Sequence, residues 1–321
     1  MTETVAGPFS KKGPATFLSP ADYGSIPIHE IRTIDVHSFQ GCNGAKLRNP
    51  RNSEMPATIR CRYITFVLLA LSLTGCGRET PPAAGGAPGV TVGGEPDADR
   101  VRAADVSVLF VGNSHTASQD LPNLVCKMIQ FRHPERTVVA HVVGVGFLDD
   151  TVRDPRCREE IESRPWKFVV LQAQRISASG IHEYSRAEGI DLAKRAKARG
   201  TAAVFFSEWG LRTVADNGPR HEAIYTEMAR AADARVAPVG RAWALALTKR
   251  PDLPLYAADG NHEDALGAFL TACVLVGRLT GESPAALAAF PYPNTNEADR
   301  KVLADAAAAA IEQYDAGVEY R

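Results

Sequence analysis

Two short segments carry residues whose types and spacing could do chemistry. VLFVGNSHT (108–116) is an apolar, β-branched run that breaks at Gly112 and presents Ser114 ahead of residues able to start a helix. LYAADGNHEDALGAFLTA (255–272) sets Asp259 three residues before His262, in a turn-rich stretch that leads into a long apolar helix. A serine hydroxyl becomes a useful nucleophile when a neighbouring base takes its proton. An imidazole is that base when a carboxylate orients its other nitrogen. Read in chain order, Ser114, Asp259 and His262 have the arrangement of a hydrolytic triad. Ser114 taken alone is more simply a helix N-cap; the Asp-x-x-His segment supplies what a nucleophile needs.

The elements around these segments must bring them together. Short apolar runs predict strands over 106–111, 137–143, 168–172, 202–207 and 235–239. Helical spacing covers 121–131, 185–200 with Gly200 as its C-cap, 220–234, 265–281 closed by Gly281, and an alanine-rich 297–314. Strands alternating with helices give a parallel sheet covered on both faces, and ligands of such sheets sit outside the carboxyl ends of the strands. Ser114, Gly144, Gln172 and Trp209 each follow a predicted strand, so they converge on that edge. His115 is a candidate substrate contact beside the nucleophile. Trp209, next to Glu208, is a candidate wall for a sugar or acyl group. His133, His141, His182 and His221 have no ligand-like spacing and read as surface or structural. The sequence contains no P-loop, dinucleotide-binding glycine fingerprint or paired-cysteine zinc pattern, so neither a cofactor nor a metal is expected.

The chain has 321 residues and a formal net charge of −1, which gives no electrostatic reason to expect a nucleic-acid partner. Residues 1–53 show no sustained periodicity. MPATIRCRYITFVLLALSLTGC (55–76) then has a basic start, a short apolar run and small residues before Cys76. That is the form of a secretory signal, too short for a membrane span of about 20 apolar residues. Its Leu-Thr-Gly-Cys end resembles a bacterial lipobox, which implies cleavage there, lipidation of Cys76 and residence in the cell envelope, with membrane contact through the lipid anchor only. Met55 is then the expected initiator, and 1–54 is expected to be a mis-assigned upstream extension or disordered. The Gly/Pro/Ala-rich 77–104 reads as a flexible linker, leaving 105–321 as one folded domain. Cys126, Cys157 and Cys273 remain in that domain. Cys126 and Cys273 read as buried thiols, and a bridge between two of the three stays open.

VLFVGNSHT together with DGNH-x-x-x-x-G resembles the SGNH/GDSL hydrolase superfamily, over roughly 106–281. The resemblance implies a flavodoxin-like three-layer α/β/α sandwich with a mostly parallel five-stranded sheet. It also implies metal-free ester hydrolysis, with Ser114 as nucleophile, His262 as base and Asp259 as its orienting acid. In the oxyanion hole the Ser114 amide is joined by one from GVGFLDD, where Gly144 is favoured over Gly146. The family's third block supplies an Asn side chain; this chain has VVLQAQRIS instead, where Gln172 or Gln174 carries the needed amide donors. The expected protein is a lipid-anchored serine esterase that removes acyl groups, acetyl among them, from carbohydrate or small esters. The missing Asn motivates the alternative, a glycan-binding surface lipoprotein that kept the fold without catalysis. Loops 144–166 and 176–184 are expected to set specificity.

Overall fold

The computed structural model describes residues 90–92 and 95–320, apart from 145, 152, 178–179 and 215–216. They belong to one compact unit, Gly77–Arg321. The expected upstream extension, the signal segment and Cys76 lie outside the described residues.

Six strands, β1 (Val90–Val92), β2 (Val106–Gly112), β3 (Val138–Gly144), β4 (Phe168–Leu171), β5 (Ala202–Ser207) and β6 (Arg235–Pro238), form one sheet. Their order is β1-β3-β2-β4-β5-β6 and every pairing is parallel. The five expected strands are all present, in the flavodoxin-like order, and β1 adds a sixth outside β3. The helices are α1 (Ala98–Ala103), α2 (Ser114–Ala117), α3 (Leu121–Arg132), α4 (Leu148–Thr151), α5 (Pro155–Ser163) and α6 (Ala187–Ala198). After these come α7 (Asn217–Ala232), α8 (Val239–Lys249), α9 (Ala265–Thr280) and α10 (Glu297–Asp315).

Strand periodicity builds the three layers. Val108 and Phe110 enter one core cluster, shared with α3, α8, α9 and α10, while Leu109 and Val111 enter the other, shared with α1, α5, α6 and α7. Both faces of β2 are therefore buried, which is why it reads as an unbroken apolar run.

One expectation needs correction. The stretch 77–104 is not linker throughout, because β1 pairs with β3 and α1 is capped by Asp97, whose side chain accepts from Arg100 N–H. Val101 of α1 is buried in the core. The small residues of this stretch hid a three-residue edge strand and a six-residue helix. Cys126, Cys157 and Cys273 are all buried free thiols, and burial pushes Cys126 and Cys157 up to about 12.

The DGNH-x-x-x-x-G glycine has a packing reason. A Cβ on Gly267 would lie 2.2 Å from the Leu255 carbonyl oxygen and 2.8 Å from the Trp243 ring, so its absence lets α9 close onto the strand-like run before the histidine. Gly267→Ala is expected to cost at least about 1–3 kcal/mol through overpacking, read as a lowered midpoint in urea denaturation.

Candidate active site

Ser114 opens α2, immediately beyond β2, and is exposed. Asn113 caps this turn, its Oδ1 accepting from His115 N–H at 3.1 Å. Gly112 permits the turn: a Cβ there would lie 2.1 Å from Thr116 Oγ1 and 2.7 Å from Gln172 Oε1. The loop bearing the other two residues is closed by an antiparallel bridge between Tyr256 and Glu263 and by Ala257 N–H donating to the His262 carbonyl. Arg212 fastens it from outside through the Tyr256 and Ala257 carbonyls.

The three expected residues meet. His262 Nε2 is 2.8 Å from Ser114 Oγ, and His262 Nδ1 is 2.6 Å from Asp259 Oδ2. Asp259 Oδ1 also accepts the backbone N–H groups of Asn261 and His262, at 2.9 and 3.0 Å. The His262 side chain, then these amides, hold the Asp259 carboxyl well below the usual carboxylate range, so it stays ionised wherever the imidazole can act as a base. Asp259 Oδ2 thus fixes the tautomer that leaves Nε2 free to accept the serine proton.

A second network joins the strand ends beneath the triad. Glu208, buried just after β5, accepts through Oε2 from Gln172 Nε2 at 3.0 Å and from Tyr225 Oη at 2.9 Å. Gln172 Oε1 in turn accepts from Asn113 N–H and Thr116 Oγ1, at 3.1 and 2.8 Å, holding the nucleophile turn. Tyr225 Oη accepts the N–H groups of Ala173 and Gln174, at 3.1 and 2.8 Å. Ala173 sits at φ 86°, a backbone region that costs a non-glycine residue energy and persists because this network holds it.

These contacts revise the expected oxyanion residues. Gln172 is fully buried, with its amide spent on Glu208 and its oxygen on the nucleophile turn. Gln174 directs Nε2 at the Tyr184 and Ser185 carbonyls, at 3.0 and 3.3 Å, so the atom it leaves unpaired is the acceptor Oε1. Neither glutamine offers the side-chain donor expected of it. Gly144 ends β3 in register with Gly112 but opens on a groove with Glu95, His141 and Arg156. Gly146, at φ 93°, holds the backbone conformation that only glycine takes easily.

Ser114 opens on a cavity of about 470 Å³. His115 lines it, stacked on Trp209 at 4.9 Å, edge-on to His262 at 5.2 Å, and with Nε2 3.2 Å from Asn261 Oδ1. Burial lowers the His115 pKa despite the opposing pull of Glu208, so the ring is neutral near pH 7. Trp209 also lines the cavity but is only 2 % exposed, stacked on Trp243 at 4.1 Å and donating Nε1 to the Asn261 carbonyl at 2.9 Å. It is a support for His115 and the histidine loop, not an open wall for a sugar. Phe147, Ile176 and Tyr184 place the two expected specificity loops at the cavity.

Three lining residues were not anticipated. His221, expected to be surface or structural, reaches the cavity from α7 with Nδ1 buried and unpaired. Arg175 lies over the Tyr184 ring at 4.2 Å and the Phe147 ring at 5.0 Å, its guanidinium bonded to Asp149 at 2.6 Å. Asn261 hides in the DGNH turn. The Ile-Ser segment beside Arg175 was a signal for a loop but not for its cation. Among the described residues no group of three or more His, Cys, Asp or Glu is placed to hold a metal ion.

No protein-family model matches the chain, and no curated protein matches its sequence. Solved structures similar to it include a protein from Slackia heliotrinireducens, provisionally assigned as an SGNH hydrolase, at 22 % identity and a TM-score of 0.44. That match covers 55 % of this chain and 99 % of the other. A DUF4886 family protein from Bacteroides uniformis is 17 % identical with a TM-score of 0.49, over 65 % of this chain and 96 % of its own. An acetyl xylan esterase is 12 % identical at 0.44, over 54 % and 100 %. These likenesses are of fold alone. The chemistry rests on the residues described above.

Two outcomes are expected of the site's supports. Tyr225→Phe removes one of the two donors to Glu208 Oε2 and strands the Ala173 and Gln174 amides away from water, and is expected to cost roughly 2–4 kcal/mol in denaturant unfolding. Glu263, buried directly after His262, has its carboxyl lifted by burial from 4.5 to about 7. The folded protein then keeps a proton that the unfolded chain has lost, so this group's contribution to stability is full below about pH 4.5 and lost as pH rises through 7, by roughly 3 kcal/mol. Glu263→Gln is expected to flatten that part of the stability–pH curve; an unchanged slope would refute the assignment.

Proposed function

We propose that the protein is a serine esterase that removes acyl groups, acetyl among them, from carbohydrate or small esters. The observation that carries this is the continuous hydrogen-bonded line Ser114–His262–Asp259, at 2.8 and 2.6 Å, opening on a cavity. His262 Nε2 takes the Ser114 proton as Oγ attacks the ester carbonyl, and returns it to the departing alcohol oxygen. Water, deprotonated by the same nitrogen, then attacks the acyl-enzyme, releasing the acid and restoring Ser114. The oxyanion is met by the Ser114 backbone N–H, at the start of α2, and by an amide of Gly144 or Gly146. Attachment to the bacterial cell envelope through a lipid on Cys76 belongs to the same proposal and rests on the 55–76 segment alone.

One observation favours a second reading. Both glutamines that could replace the family's asparagine are committed elsewhere, so a glycan-binding protein with an idle triad is the alternative. A fluorophosphonate separates the two, because only an activated serine reacts with it. Labelling of Ser114 is expected, with p-nitrophenyl acetate turnover reduced about 10³-fold or more by Ser114→Ala and by His262→Ala. A folded wild-type protein that neither labels nor turns over would refute the esterase reading.

A further inference from the structure

The cavity beside Ser114 leaves several polar atoms without protein partners. Glu208 lines it with Oε2 engaged twice, while Oε1 has no hydrogen-bond partner among the described residues. Gln174, 2 % exposed, lines the same cavity with Oε1 buried and unpaired. His115 has Nδ1 buried and unpaired, and with Nε2–H donated to Asn261 Oδ1 that nitrogen is an acceptor. One donor stands among these acceptors: Arg175 Nε, buried and unpaired, on a guanidinium held between the Phe147 and Tyr184 rings.

Unpaired buried acceptors are costly unless a ligand supplies donors. An alkyl chain lying against them would supply none of the missing hydrogen bonds and would cover Glu208 Oε1 with nothing in return. A substrate carboxylate or phosphate would face Glu208 and bring only acceptors. An ammonium group would meet Arg175 and bring only donors. A hydroxyl is both donor and acceptor, and so suits a cavity lined by unpaired acceptors, the Arg175 donor and the unpaired His221 Nδ1.

We infer that this wall is a subsite for a hydroxyl-rich alcohol, so that the ester cleaved at Ser114 is that of a polyol such as a sugar ring and not of an alkyl or lipid alcohol. Glu208 Oε1 is its principal acceptor. The inference rests on the ester-hydrolysis reading and narrows it.

The test uses the full chain and two esters of matched ring size: a monoacetylated methyl glucoside and cyclohexyl acetate. The wild type is expected to favour the glucoside at least tenfold in kcat/KM. Glu208→Gln is the informative variant. Its carbonyl oxygen takes over the bonds from Tyr225 and Gln172, while an NH₂ donor replaces Oε1 in the cavity. The glucoside preference is expected to fall at least tenfold in this variant, chiefly through KM. Equal turnover of both esters by the wild type, or a preference that Glu208→Gln leaves intact, overturns the subsite while leaving the esterase standing. If neither ester is cleaved, the hydrolytic reading fails and the subsite is read by saturation-transfer NMR with methyl glucoside. Binding to the wild type that Glu208→Gln abolishes then supports it, and absence of binding overturns it.

Discussion

The carboxylate of Glu208 is the point on which the site's geometry turns. It follows β5, yet its one engaged oxygen reaches, through Gln172, the turn after β2 and, through Tyr225, the backbone after β4. Three strand ends that share no local sequence are thereby held in one arrangement. Tyr225 shows the demand this places on the interior: its hydroxyl is buried, and burial and then Glu208 raise its pKa, so it remains a donor to the carboxylate at any ordinary pH. The network is closed except for Glu208 Oε1, and low dielectric makes a closed network rigid where a half-satisfied one would be a liability.

Against this fixed floor, the catalytic loop is held by different means. Asp259 and His262 lie on a turn exposed to solvent, the His262 side chain 31 % and the Asp259 side chain 50 % accessible. Backbone bonds within the turn, Arg212 outside it and the Trp209–Trp243 stack beneath it do the positioning. The nucleophile therefore belongs to the rigid sheet edge and its base to a braced loop. Burial of Trp209 between ring systems follows from that bracing.

Much of this was legible in the sequence where chemistry is local. Asp259 and His262 are three residues apart, so turn geometry alone brings them together. Ser114 follows a strand whose two-sided burial is written as an unbroken apolar run. Gln172 and Gln174 were legible as residues near the site but not in their roles. Whether an amide shows its donor or its acceptor to a cavity depends on Glu208, Tyr184 and Ser185, none of which is adjacent in sequence. His221 lies on a helix of ordinary amphipathic pattern and reaches the cavity only because α7 packs beside β5. Helix α8 was hidden for another reason: it starts directly after β6 with no turn residues between them. The short β1 could not be read, since three residues in a Gly/Pro-rich stretch carry no periodicity, and only pairing with β3 makes them a strand.

That edge strand has a directional meaning. All six strands run the same way, toward the edge that carries Ser114. Because β1 lies parallel to β3, the polypeptide enters the sheet at the opposite, amino edge. A load borne by the chain ahead of Val90 would pull on β1 lengthwise, shearing its pairing with β3 at the far end of the domain from the cavity. The start of β1 and the mouth of the cavity therefore lie at opposite edges of the sheet.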